Sequence, residues 1–95
     1  MTVRVLAPFE FRVLATIARG EPMYGIAIWE TVNPHYPVSQ GALYSTLSRL
    51  LAKHYVTVTW SAPKAVRGGR RRGYYCVTTA GHTALAASRA AYASI

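Results

Sequence analysis

Basic side chains are the groups in this sequence best suited to do chemistry, and their distribution is one-sided. Eleven Lys and Arg residues stand against three acids, for a formal net charge of +8 at pH 7. The acids, Glu10, Glu21 and Glu30, all lie in the first third of the chain. Ordinary solvated surfaces mix both charge signs, so the later part of the chain suggests a polyanionic partner. Nucleic acid is the first candidate, and an anionic membrane is the second.

The densest basic cluster lies between residues 61 and 73, where Pro63, Gly68 and Gly69 favour turns. Such a cluster could be only a solvated loop. Three consecutive arginines with no acid nearby make contact with nucleic acid the better interpretation. We expect the cluster to follow the phosphate backbone or to enter a narrow minor groove. Its cationic members are Lys64, Arg67, Arg70, Arg71 and Arg72.

A second candidate surface lies on the helix predicted after Ser39, which is a favourable N-cap followed by leucines at helical spacing. The side opposite the leucines is small and polar, so it can enter a major groove about 12 Å wide. Serine, glutamine and arginine can bond bases or phosphates, and the helix N-terminus offers free N–H groups. For Tyr44, packing under the preceding turn is an equal alternative. The candidate contacts are Ser39, Gln40, Gly41, Tyr44, Ser45, Ser48 and Arg49.

Two further helices are predicted before this one. Apolar spacing predicts the first from Pro8 to a stop at Gly20. Pro22 is expected to open a second, short helix in which Tyr24 and Ile28 share a face, ending before residues 33–37, where two prolines fix a turn.

The hydrophobic period changes from helical to two after His54, which predicts a strand over residues 55–60. A second strand is expected over residues 74–77, so that the basic cluster forms the tip of a hairpin. Thr78 is expected to cap a final, alanine-rich helix that runs from Thr79 towards the end.

These elements define the expected fold, which is mainly α with a small β-hairpin (α+β). Three helices followed by a two-stranded hairpin is the order of a winged helix-turn-helix, in which the third helix enters the major groove. Residues 1–78 would form the winged-helix DNA-binding domain. Residues 79–95 would form a C-terminal helix and a candidate dimerisation element.

Three segments resemble the PadR-like transcriptional regulators: residues 21–26 (EPMYGI), 38–50 (VSQGALYSTLSRL) and 72–81 (RGYYCVTTAG). The resemblance implies a dimeric repressor that binds a palindromic operator in double-stranded DNA through its third helix and wing. It also implies homodimerisation through the C-terminal helix and, in some members, release by a small aromatic effector. The sequence departs from the family pattern at Ser45, usually proline, and at His54, usually glycine.

The sequence gives no support for catalysis, a metal or a cofactor, and we expect a protein that is not an enzyme. His35, His54 and His82 are scattered without a second ligand at metal-binding spacing. The single cysteine, Cys76, is most simply a small buried apolar residue. Aromatic residues at helix and strand spacing are more often core than effector site, and we favour core for most of these: Tyr24, Trp29, Trp60, Tyr74 and Tyr75.

The cellular setting and two competing functions complete the expectations. No apolar run approaches the roughly 20 residues that cross a bilayer, so we expect a cytoplasmic protein without a membrane partner. One competing function is a small basic RNA-binding or ribosome-associated protein, which would prefer folded RNA. The other is a winged-helix module for protein contacts, in which the arginines only confer solubility.

Overall fold

The computed structural model describes residues 5–20, 22–60 and 73–94. Within these residues, four helices surround a small three-stranded antiparallel sheet, which confirms the α+β class. The elements in chain order are α1 (Pro8–Arg19), β1 (Met23–Tyr24), α2 (Gly25–Val32), α3 (Gln40–Ala52), β2 (Val56–Trp60), β3 (Gly73–Val77) and α4 (Thr79–Ala93).

Helix α3 begins as the capping pattern predicts. The Ser39 hydroxyl accepts a hydrogen bond from the Ala42 amide at 3.1 Å, which satisfies one of the free N–H groups of the first turn. The leucines then turn inward, and Leu43, Leu47 and Leu50 are almost completely buried. The predicted helix and its buried side are therefore both confirmed.

The carboxyl end of α3 is closed by a Schellman motif at His54. The His54 amide donates to the Leu51 carbonyl and the Tyr55 amide donates to the Leu50 carbonyl, each at 3.0 Å. This pattern requires a left-handed residue after the helix, and His54 has a φ of 63°. Glycine is the residue that adopts this conformation at least cost, so His54 occupies a position that favours glycine.

The two predicted strands pair antiparallel as expected, in a register that pairs Val56 with Val77 and Trp60 with Gly73. A third strand, β1, pairs with β3, so that the sheet order is β1-β3-β2. The expectation that Tyr24 lies in a helix opened by Pro22 is wrong. Tyr24 belongs to β1 and precedes α2, which begins at Gly25. The partner of β1 lies 50 residues further along the chain, which local periodicity does not reveal.

The hydrophobic core lies where the four helices meet one face of the sheet. Helix α1 lies at the centre of the molecule, with its apolar stripe fully buried, as its spacing of apolar residues predicts. Each of the other elements contributes a buried side chain to the cluster except β1, whose half-buried Met23 packs against it. Its members include Val13, Leu14, Ile17, Ile28, Leu43, Leu47, Leu50, Val56, Tyr75, Ala84 and Leu85.

Helix α4 packs on its own chain along its inner side. Thr78 caps it as expected, because its hydroxyl accepts from the Gly81 amide at 3.0 Å. Further along the helix, Ser88 is fully buried and its hydroxyl accepts from the Leu6 amide at 2.9 Å. The Tyr92 hydroxyl donates to the Leu6 carbonyl. The segment before α1 and the second half of α4 are thereby held together.

Candidate nucleic-acid interface

The side of α3 opposite the leucines faces solvent. Gly41, Ser45, Ser48 and Ala52 are all exposed, and a Cβ atom added at Gly41 would meet no other atom within 4 Å. These residues follow one another at spacings of three and four, so they form one continuous strip along the helix. We call this strip the α3 outer face. Its side chains are small and uncharged, which leaves the backbone of α3 accessible along two to three turns.

Gln40 and Ser39 lie at the amino end of the same helix and are exposed. The Ser39 hydroxyl uses one of its hydrogen-bonding positions for the cap. The first-turn amides that the cap does not satisfy point out of the helix end, where an anion would be attracted both by their hydrogens and by the helix dipole. The structure therefore brings the uncharged candidate residues of α3 together on one side and one end of the helix.

Arg49 lies on the flank of the α3 outer face that is nearer to α1. Its guanidinium donates to the Thr46 hydroxyl at 3.0 Å, and its Nε lies 3.7 Å from a Glu10 carboxylate oxygen. The side chain is nevertheless 57% exposed. It is therefore oriented by two neighbours while donors remain available to an external acceptor.

Glu10 and Lys53 form a contact that the sequence analysis missed. Glu10 is only 6% exposed, and the Lys53 ammonium donates to both of its carboxylate oxygens, at 2.9 and 3.2 Å. The same carboxylate accepts from the Ala7 amide at 3.4 Å. An acid at the third position of a helix is a signal for this N-terminal role. No local signal in the sequence indicates Lys53, which lies 43 residues away. Its contact with Glu10 joins the end of α3 to the start of α1.

Tyr44 lies on the other flank of α3, against the start of α2. A Cβ atom added to Gly25 would lie 2.8 Å from the Tyr44 hydroxyl, so the absence of a side chain at Gly25 makes room for this ring. Tyr44 thus packs against the start of α2, and its assignment as a DNA contact stays a prediction. The ring is still 42% exposed, beside the α3 outer face.

Tyrosines of the sheet contact one another, and one of them lies near Tyr44 of α3. The hydroxyls of Tyr24 and Tyr74 are hydrogen-bonded, and their ring centroids are 4.2 Å apart. Burial raises the pKa of Tyr75, and the nearby Tyr44 adds to that effect. Of the aromatic residues expected in the core, Tyr75 is buried and Tyr24, Trp29 and Tyr74 are half-buried. Trp60 is the exception, with 56% of its surface exposed at the end of β2.

The basic cluster lies outside the described residues, so its expected place at the tip of a hairpin and the assignments of Lys64, Arg67, Arg70, Arg71 and Arg72 as DNA contacts stay predictions. The strands on either side of this segment are described, and the last pair in their register is Trp60 with Gly73. Across residues 5–20, 22–60 and 73–94, no group of three potential metal ligands occurs, and no helix is long and apolar enough to cross a membrane.

The sequence matches the model of the transcriptional regulator PadR-like family over residues 13–87. No curated protein matches it. Among solved structures, a PadR-like transcriptional regulator from Bacillus cereus is 28% identical, with a TM-score of 0.73 over 90% of this chain and 81% of that one. A PadR family regulator from Eggerthella lenta is 26% identical, with a TM-score of 0.75 over 88% and 70%.

The fold also extends beyond that family. Wild-type MarR from E. coli is 21% identical, with a TM-score of 0.71 over 90% of this chain and 56% of that one. At this identity the likeness concerns the fold alone. It shows that the arrangement of helices and sheet seen here is that of winged-helix regulators.

Proposed function

Because the chain belongs to the PadR-like family of transcriptional regulators, we propose that it binds a specific sequence in double-stranded DNA as a homodimeric repressor. The family is one of regulators and not of enzymes, and it implies regulation through DNA binding. The proposal has three specific parts, which are a palindromic operator, a homodimer and a repressor role. The single observation that carries the proposal is the α3 outer face.

The α3 outer face suits a major groove because its side chains do not hold the helix away from base edges. Long side chains at Gly41, Ser45 and Ser48 would fill the space that the bases must occupy. In their place, two hydroxyls can donate to or accept from bases and phosphates. The fold also leaves all four residues of this strip exposed.

Arg49 and Gln40 are the side chains of α3 that can reach beyond this strip. We assign to Arg49 a bidentate contact with guanine or a contact with phosphate, since its guanidinium is exposed and held by Thr46 and Glu10. We assign to Ser39, Gln40 and the first-turn amides a phosphate at the amino end of the helix. Tyr44 and Ser45 lie next to these groups and complete the proposed contacts on α3.

The wing would add the part of the affinity that does not depend on sequence. Lys64, Arg67 and Arg70–Arg72 would contact the DNA backbone or the adjacent minor groove, which attracts arginine where it is narrow. Homodimerisation through the C-terminal helix would place two copies of α3 on the two half-sites. A small aromatic effector is included among the proposed partners on the family resemblance alone, and the cytoplasmic location stays a prediction.

The proposal is tested by selecting binding sites from random duplex DNA with the purified protein at physiological salt. We expect one consensus with two half-sites about one helical turn apart, and a footprint that covers both. Equal affinity for the selected and scrambled duplexes, or a preference for folded RNA, would contradict the proposal. Binding as a monomer to a single half-site would contradict its dimeric part.

Two variants separate the proposed roles of α3 and the wing. Arg49→Gln should weaken binding to the selected site by about tenfold, with a smaller effect on random DNA, if Arg49 contacts a base. Replacing Arg70, Arg71 and Arg72 by Ala should weaken binding to both DNAs and make the salt dependence shallower. Arg19→Gln also removes one positive charge but lies on α1, away from α3, the wing and the C-terminal helix, and it serves as the charge-matched control.

A further inference from the structure

A groove of about 470 Å³ lies between α1, the turn that follows α2, and α4. Its basic lining consists of two arginines from α1, one histidine from the turn and one arginine from α4. Aromatic rings from α1 and the turn form part of its wall. The residues concerned are Arg12, Arg19, His35, Arg89, Phe11 and Tyr36.

The groove collects the cations that have no acidic partner in the described part of the chain. Five Lys and Arg residues are described there, and two of them, Arg49 and Lys53, form ion pairs with Glu10. The other three, Arg12, Arg19 and Arg89, all line the groove. No described acid is among its lining residues. The arginines that line the groove therefore carry positive charges that no described acid in the lining neutralises.

Like charges that converge on one concave surface repel each other, and a bound anion is the direct way to relieve that repulsion. Guanidinium groups are particularly suited to this because each offers a planar pair of donors to a carboxylate or phosphate. Arg12 is also held in place, since its guanidinium carbon lies 5.2 Å from the centroid of the Tyr36 ring.

The number of arginines indicates the charge of the ligand. A single carboxylate can bond one guanidinium bidentately, which would leave the other two guanidinium groups without an anionic partner. The rings of Phe11 and Tyr36 indicate a planar group in addition, because they provide an apolar wall beside the charges. The volume lies within the range of about 300–1,000 Å³ that is usual for small-molecule sites.

We propose that this groove binds a small polyanion that carries a planar ring, of the chemical class of the nucleoside polyphosphates. Its phosphates lie against Arg12, Arg19 and Arg89, and its ring lies beside Phe11 and Tyr36. This binding does not depend on the proposed DNA contacts, because it involves none of the same residues.

The groove also has a direct connection to the start of α3. His35 and Tyr36 belong to the turn that ends at Ser39, and the Tyr36 amide donates to the Val32 carbonyl at 2.9 Å. The rest of that turn is held by the Asn33 side chain, which accepts from the Val38 amide at 2.9 Å. A ligand that contacts Arg89 and Tyr36 together thus links α4 to the turn before α3.

The test is isothermal titration of the purified protein with ATP, with inorganic pyrophosphate and benzoate as separate probes. We expect ATP to bind more tightly than pyrophosphate, which lacks the ring, and than benzoate, which has a single charge. Arg89→Gln and Arg19→Gln should each weaken ATP binding by about tenfold, which corresponds to one charge-assisted hydrogen bond. Arg49→Gln, with the same net charge, should leave it unchanged.

Several results would overturn the proposal. They are the absence of ATP binding, tighter binding of benzoate, equal binding of pyrophosphate, and equal effects of Arg49→Gln and Arg89→Gln. Loss of ATP binding only when Arg70, Arg71 and Arg72 are replaced would show nucleotide binding by the wing instead. Thermal denaturation of each variant confirms that it folds. Because Arg49→Gln weakens DNA binding on the proposed function and Arg89→Gln weakens ATP binding here, the two proposals can fail separately.

Discussion

The two ends of α3 are held in different ways. At the amino end, the Ser39 hydroxyl caps the first turn locally, and Gln40, Gly41 and Ala42 are exposed. At the carboxyl end, Lys53 bonds the buried Glu10, and His54 closes a Schellman motif. The carboxyl end of α3, which we call its base, is thus held by contacts with distant parts of the chain. The amino end, which we call its open end, is capped locally. This arrangement is expected of an element that presents a surface to a large partner.

The base of α3 is also connected to α4. The Thr78 hydroxyl donates to the His54 carbonyl at 2.6 Å and accepts from the Gly81 amide, so that one side chain contacts the end of α3 and caps α4. The Thr78 amide donates to the Tyr55 carbonyl at 3.0 Å. Thr78 and its neighbours therefore join the start of α4 to the carboxyl end of α3.

The largest expected effect on stability comes from a substitution at Gly81, where α4 packs against the backbone that follows the base of α3. An added Cβ atom would overlap the Tyr55 carbonyl oxygen and lie 2.6 Å from a Val77 methyl group. Backbone cannot yield as a flexible side chain does, so we expect Gly81→Ala to lower the free energy of unfolding by about 1–3 kcal/mol, as overpacked sites do. Urea denaturation measures this change.

Gly41 is the matched control at the open end, since it also lies in the first turn of a helix but has no atom near its Cβ position. Gly41→Ala should be neutral or should stabilise the protein by up to about 1 kcal/mol, because alanine is the better helix former. If Gly81→Ala and Gly41→Ala had equal effects on stability, the distinction between the base and the open end would be wrong.

The second prediction concerns Glu10, which joins the base to α1. Glu10→Gln keeps the size of the side chain but removes the charge that faces Lys53 and Arg49. Because both cations are about half exposed, solvent screens the interaction, and we expect a loss of about 1 kcal/mol in the free energy of unfolding. The loss should shrink at high salt. Glu30, which is exposed, provides the control, and Glu30→Gln should change stability by less than about 0.5 kcal/mol.

Local signals predicted the open end of α3 well and its base poorly. The Ser39 cap and the leucine spacing involve neighbours within one or two turns, so residues 39–51 contain the whole pattern. The Glu10 to Lys53 contact joins residues 43 positions apart, and β1 pairs with a strand 50 positions away. Neither has a periodic signature, because a single ion pair or a two-residue strand repeats nothing along the chain.

The same distinction applies to single side chains of the candidate site. Exposure of Gly41, Ser45 and Ser48 follows from the position of the leucines and was predicted. The contact of Tyr44 with Gly25 depends on how α2 crosses α3, which the sequence of either helix does not specify. The groove between α1 and α4 was not predicted for that reason, since Arg12 and Arg89 lie far apart in the chain and meet only in the folded protein.

The smallest expected effect concerns His54, which lies in the left-handed region at the very end of the base. A left-handed conformation costs a non-glycine residue about 1–2 kcal/mol. Glycine avoids this cost, but it loses more conformational entropy on folding, so a substitution by glycine recovers only part of it. We therefore expect His54→Gly to raise the free energy of unfolding by about 0.5–1 kcal/mol. His54→Ala, which keeps the backbone cost, should give no such gain. Equal stabilisation by both variants would assign the effect to loss of the imidazole and not to the backbone, and would show that the Schellman motif closes α3 without strain.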